Sequence, residues 1–75
     1  MLTIYTTPGC TDCNATRKAL TRRGLPYRTV DLTTDSKAMD YVRGLGYAQA
    51  PVCVTDTGEH WSGFRPDRLT MLARA

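Results

Sequence analysis

The sequence predicts one α/β domain, in which a mixed sheet of four strands packs with three helices in the order βαβ, α, ββα. Two observations lead to this prediction. Short segments in which apolar and polar residues alternate are followed by longer segments whose apolar residues recur at helical spacing. Glycine and proline separate these segments and leave connections of a few residues. The length of 75 residues suits a single domain, 1–75, with one modest core.

The first half of the chain is predicted to form a strand, a helix and a second strand. Leu2–Thr6 alternates between two faces, and Thr7-Pro8-Gly9 ends that strand with turn residues. Helical spacing continues over about Thr11–Arg23, and the two arginines before a glycine are typical of a helix C-terminus. Tyr27–Leu32 is the second strand. Because the links are short, the two strands should be parallel and joined by a right-handed crossover.

The second half adds a helix and a hairpin. Thr34 or Asp35 caps a helix over about Ser36–Leu45, which two glycines bring to an end. Pro51–Thr55 and Glu59–Ser62 are short strands joined by an Asp-Thr-Gly turn. We therefore expect these two strands to pair antiparallel.

The last helix is predicted to start at Arg65-Pro66-Asp67, because proline suits the first helical position and an acid suits the first turn. Its expected buried side consists of Leu69, Leu72 and Ala73. No apolar run approaches the roughly 18 residues that a membrane-spanning helix needs. The start of the chain lacks the pattern of a secretion signal. We expect a cytoplasmic monomer that is not bound to a membrane.

The charge is mildly basic, with a net charge of +3 and a pI of about 9.0. Such an excess is compatible with an acidic protein partner or reductase. No block of basic residues with interleaved aromatics stands out, so nucleic acid binding is not expected. Three cysteines form no disulfide framework, and a cytoplasmic Cys-x-x-Cys is more often a redox or metal site than a structural bridge.

Cys10 and Cys13 follow the first strand and stand at the start of the first helix. A thiol at a helix N-terminus faces unpaired backbone N–H groups and the positive end of the helix dipole. Both favour the thiolate, which is the species that attacks a disulfide. We therefore expect Cys10 to be the exposed attacking thiol and Cys13 the buried thiol that resolves the mixed disulfide. Such a redox-active disulfide needs no bound cofactor.

Thr11 and Asp12 lie between the two cysteines and are candidates for tuning their redox behaviour. The charge of Asp12 favours the start of the helix but disfavours a nearby thiolate, which suits a reducing carrier. Alternatively, Asp12 faces solvent and only helps to cap the helix.

A metal site is the main alternative to the redox reading. Zinc or an iron–sulfur cluster could bind Cys10, Cys13 and Cys53, with His60 as a further ligand, although Cys53 and His60 lie on hairpin strands without tight ligand spacing. Cys53 lies between two valines and is expected to be a small buried hydrophobe. His60 is expected to be exposed, and we predict no metal.

Two further segments are candidates for partner binding. A cis bond before Pro51, beside the dithiol, would leave backbone groups free to pair with an extended partner chain, although a trans proline also suits a strand start. Trp61-Ser62-Gly63-Phe64-Arg65 places an exposed Trp and Phe beside the reactive site, or else both rings pack the last helix onto the sheet. The residues assigned to partner binding are Pro8, Ala50, Pro51, Trp61, Ser62, Gly63, Phe64 and Arg65.

The order of elements and the position of Cys-x-x-Cys resemble the thioredoxin fold in its small glutaredoxin form. The segments 49–52 (Gln-Ala-Pro-Val) and 60–67 (His-Trp-Ser-Gly-Phe-Arg-Pro-Asp) are similar to those of the NrdH-redoxins, and the resemblance covers essentially the whole chain. It implies a cis Pro51 and a redox pair of Cys10 and Cys13. It also implies electron transfer from NADPH through thioredoxin reductase to the large subunit of a class Ib ribonucleotide reductase.

Two departures from related proteins bear on this reading. Glutaredoxins usually carry Cys-Pro-Tyr-Cys and a Gly-Gly/Asp cap at the last helix that holds glutathione. Here Thr11 and Asp12 separate the cysteines, and 62–65 stands where that cap would be. The sequence therefore lacks the expected glutathione determinants. A glutathione- or mycothiol-dependent glutaredoxin is the alternative function within the same class. The second departure is Cys53, because the NrdH-redoxins more usually carry an aliphatic residue at this position.

Overall fold

The structure is a computed structural model that describes the backbone of residues 1–74 and the side chains of residues 1–72. The predicted burial of Ala73 concerns a side chain outside that described part. Four strands and three helices follow one another in the predicted order, namely β1 (Leu2–Thr6), α1 (Thr11–Arg22), β2 (Tyr27–Asp31), α2 (Ser36–Gly44), β3 (Val52–Val54), β4 (His60–Ser62) and α3 (Pro66–Arg74).

The strands form one mixed sheet in the order β2-β1-β3-β4. The pair β1–β2 is parallel, as the short βαβ connection requires, whereas β1–β3 and β3–β4 are antiparallel. The predicted four-stranded mixed sheet with three helices is confirmed. No helix within residues 1–74 has the length and apolar character needed to cross a membrane.

Both faces of the sheet are buried because helices cover both of them, and successive side chains along a strand point to opposite faces. The face covered by α1 and α3 holds a cluster of six buried residues, which are Leu2, Ile4, Leu20, Cys53, Trp61 and Leu69. The face covered by α2 holds Leu32, Ala38, Val42 and Val52. The helices α1 and α2 therefore lie on opposite sides of the sheet.

The strands of the hairpin are shorter than predicted. Pro51 was expected to open β3, but it lies just before the strand because its nitrogen carries no hydrogen for the ladder. Thr55 was expected within β3, but its backbone N–H donates to Glu59 at 2.9 Å and closes the turn. Glu59 likewise precedes β4. At the end of β2, Leu32 lies outside the strand, although its N–H still donates to Thr6 at 2.9 Å.

The helix ends differ from the prediction by one residue. Arg23 and Leu45 are the C-terminal caps of α1 and α2, so each lies just past the helix in which it was expected. Asp35, and not Thr34, caps α2, because its carboxylate accepts the Ala38 N–H at 3.0 Å.

Candidate functional site

The loop between β1 and α1 is built by local sequence. Gly9 has a φ of 72°, a left-handed conformation that glycine adopts without penalty, and it turns the chain after Pro8. Cys10 then takes an extended conformation, φ −83° and ψ 110°, and is the N-cap of α1. Pro8 is exposed on this turn. The loop therefore delivers Cys10 to the mouth of the helix.

Cys10 and Cys13 lie at disulfide distance, with their Cα atoms 5.2 Å apart. The Sγ of Cys10 accepts a hydrogen bond from the Cys13 backbone N–H at 3.1 Å, so the sulfur occupies the place of a capping side chain. Cys13 is 2% exposed, whereas Cys10 is half-buried. Only Cys10 can be reached by the disulfide of a large partner, because Cys13 is covered.

Thr11 and Asp12 are both exposed in the first turn of α1. The carbonyl of Asp12 accepts a hydrogen bond from the hydroxyl of Thr16 at 2.8 Å, and Thr16 is 1% exposed. Among the described residues the carboxylate of Asp12 has no hydrogen-bond or ion-pair partner. Its influence on the sulfur therefore stays a prediction, which would act through charge alone.

The start of β3 lies at the same edge of the sheet as the dithiol. The antiparallel register sets Tyr5 opposite Val52, so Pro51 follows beside the end of β1. The Ala50–Pro51 bond is cis, as the resemblance implied, and Pro51 is fully buried while Ala50 is half-buried. The carbonyl of Pro51 accepts a hydrogen bond from the Gly63 N–H at 2.9 Å. This bond ties the next corner of the chain to the same edge.

That corner, Ser62 to Asp67, joins β4 to α3. Gly63 turns the chain with a φ of 82°, and Phe64 is 38% exposed. The guanidinium of Arg65 makes two hydrogen bonds to the carboxylate of Asp67, at 2.9 and 3.1 Å. These bonds lower the pKa of Asp67 and raise that of Arg65 from their usual values. The charge of Arg65 is thus already paired at the start of α3.

The prediction of an exposed Trp61 is wrong. Trp61 is 4% exposed and lies in β4 opposite Cys53, within the core beneath α1 and α3. Alternation along β4 turns His60 outward and Trp61 inward, and this pattern was the signal in the sequence that would have shown it. The guanidinium of Arg68 lies 5.8 Å from the centre of the ring. Phe64 alone of the two aromatic residues is available to a partner.

Cys53 is a buried free thiol, as predicted, with no exposed surface. Burial raises its pKa to about 12, and the neighbouring indole of Trp61 opposes that rise. The approach of the indole N–H to the sulfur does not reach hydrogen-bond geometry, and the N–H is otherwise unpartnered. Cys53 is therefore protonated and out of reach at neutral pH, which makes it unfit for thiol exchange.

The residues of the alternative metal site do not converge. Cys53 pairs with Trp61 and Val54 pairs with His60, so Cys53 and His60 project from opposite faces of the sheet. Within the described part of the chain, no three His, Cys, Asp or Glu side chains lie close enough to hold a metal ion. His60 is exposed, and its Nδ1 lies 2.8 Å from the hydroxyl of Tyr47. Sequence reasoning did not anticipate this contact.

A mixed sheet of this order, with a Cys-x-x-Cys pair capping the first helix and a cis-proline at the same edge, defines a thiol–disulfide oxidoreductase of the thioredoxin fold. The glutaredoxin family model matches residues 2–61. The chain belongs to the glutaredoxin family and, within it, to the NrdH glutaredoxin-like proteins.

Individual relatives support this assignment. The NrdH protein of Salmonella typhimurium is 38% identical over 71 residues, which span 95% of this chain and 86% of that protein. The gene 56 protein of Mycobacterium phage L5 is 42% identical over 72 residues, covering 95% of this chain and 70% of that protein. The structure of NrdH-redoxin from Escherichia coli superposes with a TM-score of 0.89 at 35% identity, covering 95% and 92% of the two chains.

Proposed function

We propose that this protein carries electrons from thioredoxin reductase, which draws them from NADPH, to the disulfide of a class Ib ribonucleotide reductase large subunit. It works in the cytoplasm as a monomer and needs no bound cofactor besides its own Cys10–Cys13 disulfide. The similarity to NrdH-redoxin from Escherichia coli supports the choice of reductase, because that protein is described as glutaredoxin-like with a thioredoxin-like activity profile.

The chemistry uses the two cysteines in sequence. The Cys10 thiolate attacks one sulfur of the partner's disulfide, and the other partner sulfur leaves as a thiolate and takes up a proton. Cys13 loses its proton and attacks the Sγ of Cys10, which releases the second partner thiol. Two electrons and two protons have then moved to the partner, and the disulfide between Cys10 and Cys13 is restored. Thioredoxin reductase reduces that disulfide by the same exchange in reverse.

The cap position of Cys10 suits the first step. The hydrogen bond of 3.1 Å from the Cys13 N–H and the positive end of α1 both stabilise negative charge on Sγ. Cys13 is held one turn further in, so its thiol is protected from outside disulfides but close to the mixed disulfide. The same geometry that closes the ring therefore supports attack by Cys10 and release by Cys13.

The observation that carries the choice of partner is the corner between β4 and α3. Glutathione bears two carboxylates, which a free cation at this corner would attract. Here the cation, Arg65, is engaged by Asp67 through two hydrogen bonds, and the aromatic ring of Phe64 is exposed beside it. A protein surface, which offers apolar area to Phe64, fits this corner better than a small anionic thiol.

Partner binding is proposed to use the edge around the dithiol. Pro8 is exposed, and Ala50 and Ser62 are half-buried near the fully buried Pro51. Two grooves in the described part of the chain, of about 480 and 360 Å³, are lined by other residues than Cys10. Cys10 is half-buried at the start of α1, beside the exposed Pro8, which suits docking by a protein.

The test compares two sources of electrons for the same protein. NADPH oxidation is followed with a disulfide substrate, either with thioredoxin reductase or with glutathione and glutathione reductase. We expect turnover with thioredoxin reductase alone, followed by support of ribonucleotide reduction in the presence of the class Ib enzyme. Turnover with glutathione alone would contradict the proposal and favour a glutathione-dependent glutaredoxin.

A further inference from the structure

The positive charge of this chain is concentrated in one segment. Residues 13–30 contain no Asp or Glu and half of the ten basic residues, namely Arg17, Lys18, Arg22, Arg23 and Arg28. The segment therefore carries a charge of +5, and the rest of the chain, with five basic and seven acidic residues, carries −2. The net charge of +3 is a local surplus centred on α1.

Helical spacing gathers part of this charge on one face. Positions 14, 17, 18, 21 and 22 are separated by three and four residues, so they form a single stripe along α1. This stripe and the start of β2 enclose a groove of about 360 Å³, called here the basic groove, which is lined by Asn14, Arg17, Lys18, Thr21, Arg22 and Tyr27.

The cations of the basic groove have no counter-ion within residues 1–72. The ion pairs found there join the N-terminus to Asp56 and Arg65 to Asp67. Lys18 and Arg22 are exposed and stand four residues apart, where like charges repel each other. Arg17 donates to the amide oxygen of Asn14, which is a neutral partner. The surface of the basic groove is therefore positively charged, and an anionic group of a partner could pair with it.

The position of the basic groove relates it to the dithiol. Asn14 directly follows Cys13, and α1 rises about 1.5 Å per residue, so Arg22 lies about 18 Å along the axis from Cys10. An extended chain advances about 3.3 Å per residue, so about five residues cover this distance. A partner whose disulfide rests on Cys10 can thus lay the residues that flank its cysteine over the groove.

We propose that the basic groove binds an acidic stretch of the partner protein, with Asp or Glu side chains within about five residues of the cysteine that Cys10 attacks. This inference rests on the proposed exchange with a protein disulfide. It adds that the partner segment beside that disulfide is negatively charged. A nucleic acid fits less well, because single strands need aromatic platforms and the basic groove offers one half-buried tyrosine, Tyr27.

The test uses two synthetic peptides with the same internal disulfide. One carries four glutamates within five residues of its first cysteine, and the other carries four glutamines there. Fully reduced protein is mixed with each peptide without any reductase, and peptide reduction is followed by mass spectrometry after acid quench. We expect the acidic peptide to be reduced about tenfold faster at low salt. The advantage should vanish near 1 M salt, where the Debye length is about 3 Å.

Two double variants separate the groove from overall charge. K18Q/R22Q removes two exposed cations from α1, and K37Q/R43Q removes two exposed cations from α2, so both variants have the same net charge. We expect the ratio of acidic to neutral rates to fall towards one in K18Q/R22Q and to persist in K37Q/R43Q. A ratio of one in the wild type, or an equal fall in both variants, would overturn the inference.

Reduction of the neutral peptide by the wild type reports the dithiol chemistry in the same experiment. Because no reductase or ribonucleotide reductase is present, failure of those proposed partners leaves this result unaffected. A fluorescent single-stranded 12-mer serves as a second probe. Binding of the 12-mer that is lost in K18Q/R22Q, together with a peptide ratio of one, would overturn the inference in favour of nucleic acid.

Discussion

At the scale of single residues, the two cysteines of one motif have different environments because they hold different positions on one helix. Cys10 caps α1 and remains accessible, while Cys13, three residues on, turns into the core and is 2% exposed. Spacing and helix geometry alone predicted this asymmetry. The sequence left Trp61 either exposed or packed beneath the last helix, and alternation along β4 places it inside, opposite Cys53.

The buried thiol of Cys53 gives a prediction for pH dependence. Burial raises the pKa of the Cys53 thiol from its ordinary value of 9.0 to about 12 in the folded protein. Between these values the unfolded chain binds fewer protons than the folded chain, so the free energy of unfolding falls as pH rises. The slope contributed by this group approaches about 1.4 kcal/mol per pH unit. We expect this loss in urea denaturation of the oxidised protein between pH 8 and 10.5.

The matched control for this prediction is C53A. With the Cys10–Cys13 disulfide intact, Cys53 is the remaining thiol among three cysteines, and C53A differs from the wild type at this position alone. The difference in stability between the wild type and C53A should shrink as pH rises above 9. A difference that stays constant over this range would mean that Cys53 ionises as easily when folded as when unfolded.

At the scale of elements, the helices were predictable because their signals are local, whereas strand ends depend on partners. From the sequence, either Thr34 or Asp35 could cap α2. In the structure Asp35 is the cap, because its carboxylate accepts the Ala38 N–H. Thr55 is a residue type that suits a strand, but its backbone N–H donates to the carbonyl of Glu59 and closes the hairpin turn. The contact between Tyr47 and His60 joins a loop to β4 and has no signal in either segment.

The cap of α2 can be tested by D35A. Loss of the carboxylate leaves the Ala38 N–H without its side-chain acceptor, and an N-cap of this kind contributes about 1 kcal/mol. We expect the free energy of unfolding, measured in urea, to fall by about that amount. D35N should keep most of the stability because an amide oxygen also caps. Equal stability of D35A and the wild type would show that water replaces the cap.

At the scale of the whole molecule, the sheet brings the ends of three strands to one edge. The dithiol loop, Ala50–Pro51 and the corner 62–67 meet there through the register of β1, β3 and β4. The sequence predicted the order of elements and the roles of Cys10 and Cys13 from local patterns. The register, the pairing of Arg65 with Asp67 and the basic groove arise from the folded chain, although the run without acids was visible in the sequence.

Trapping of mixed disulfides is the most direct test of the central claim. That claim is that Cys10 attacks the partner's disulfide and that Cys13 then releases the reduced partner. Reduced C10S and C13S are each mixed with an oxidised class Ib ribonucleotide reductase large subunit, and covalent adducts are measured by intact mass. We predict a one-to-one adduct with C13S that dithiothreitol dissolves, and no adduct with C10S, because Cys13 is buried. An adduct formed by C10S and absent from C13S would contradict the assignment.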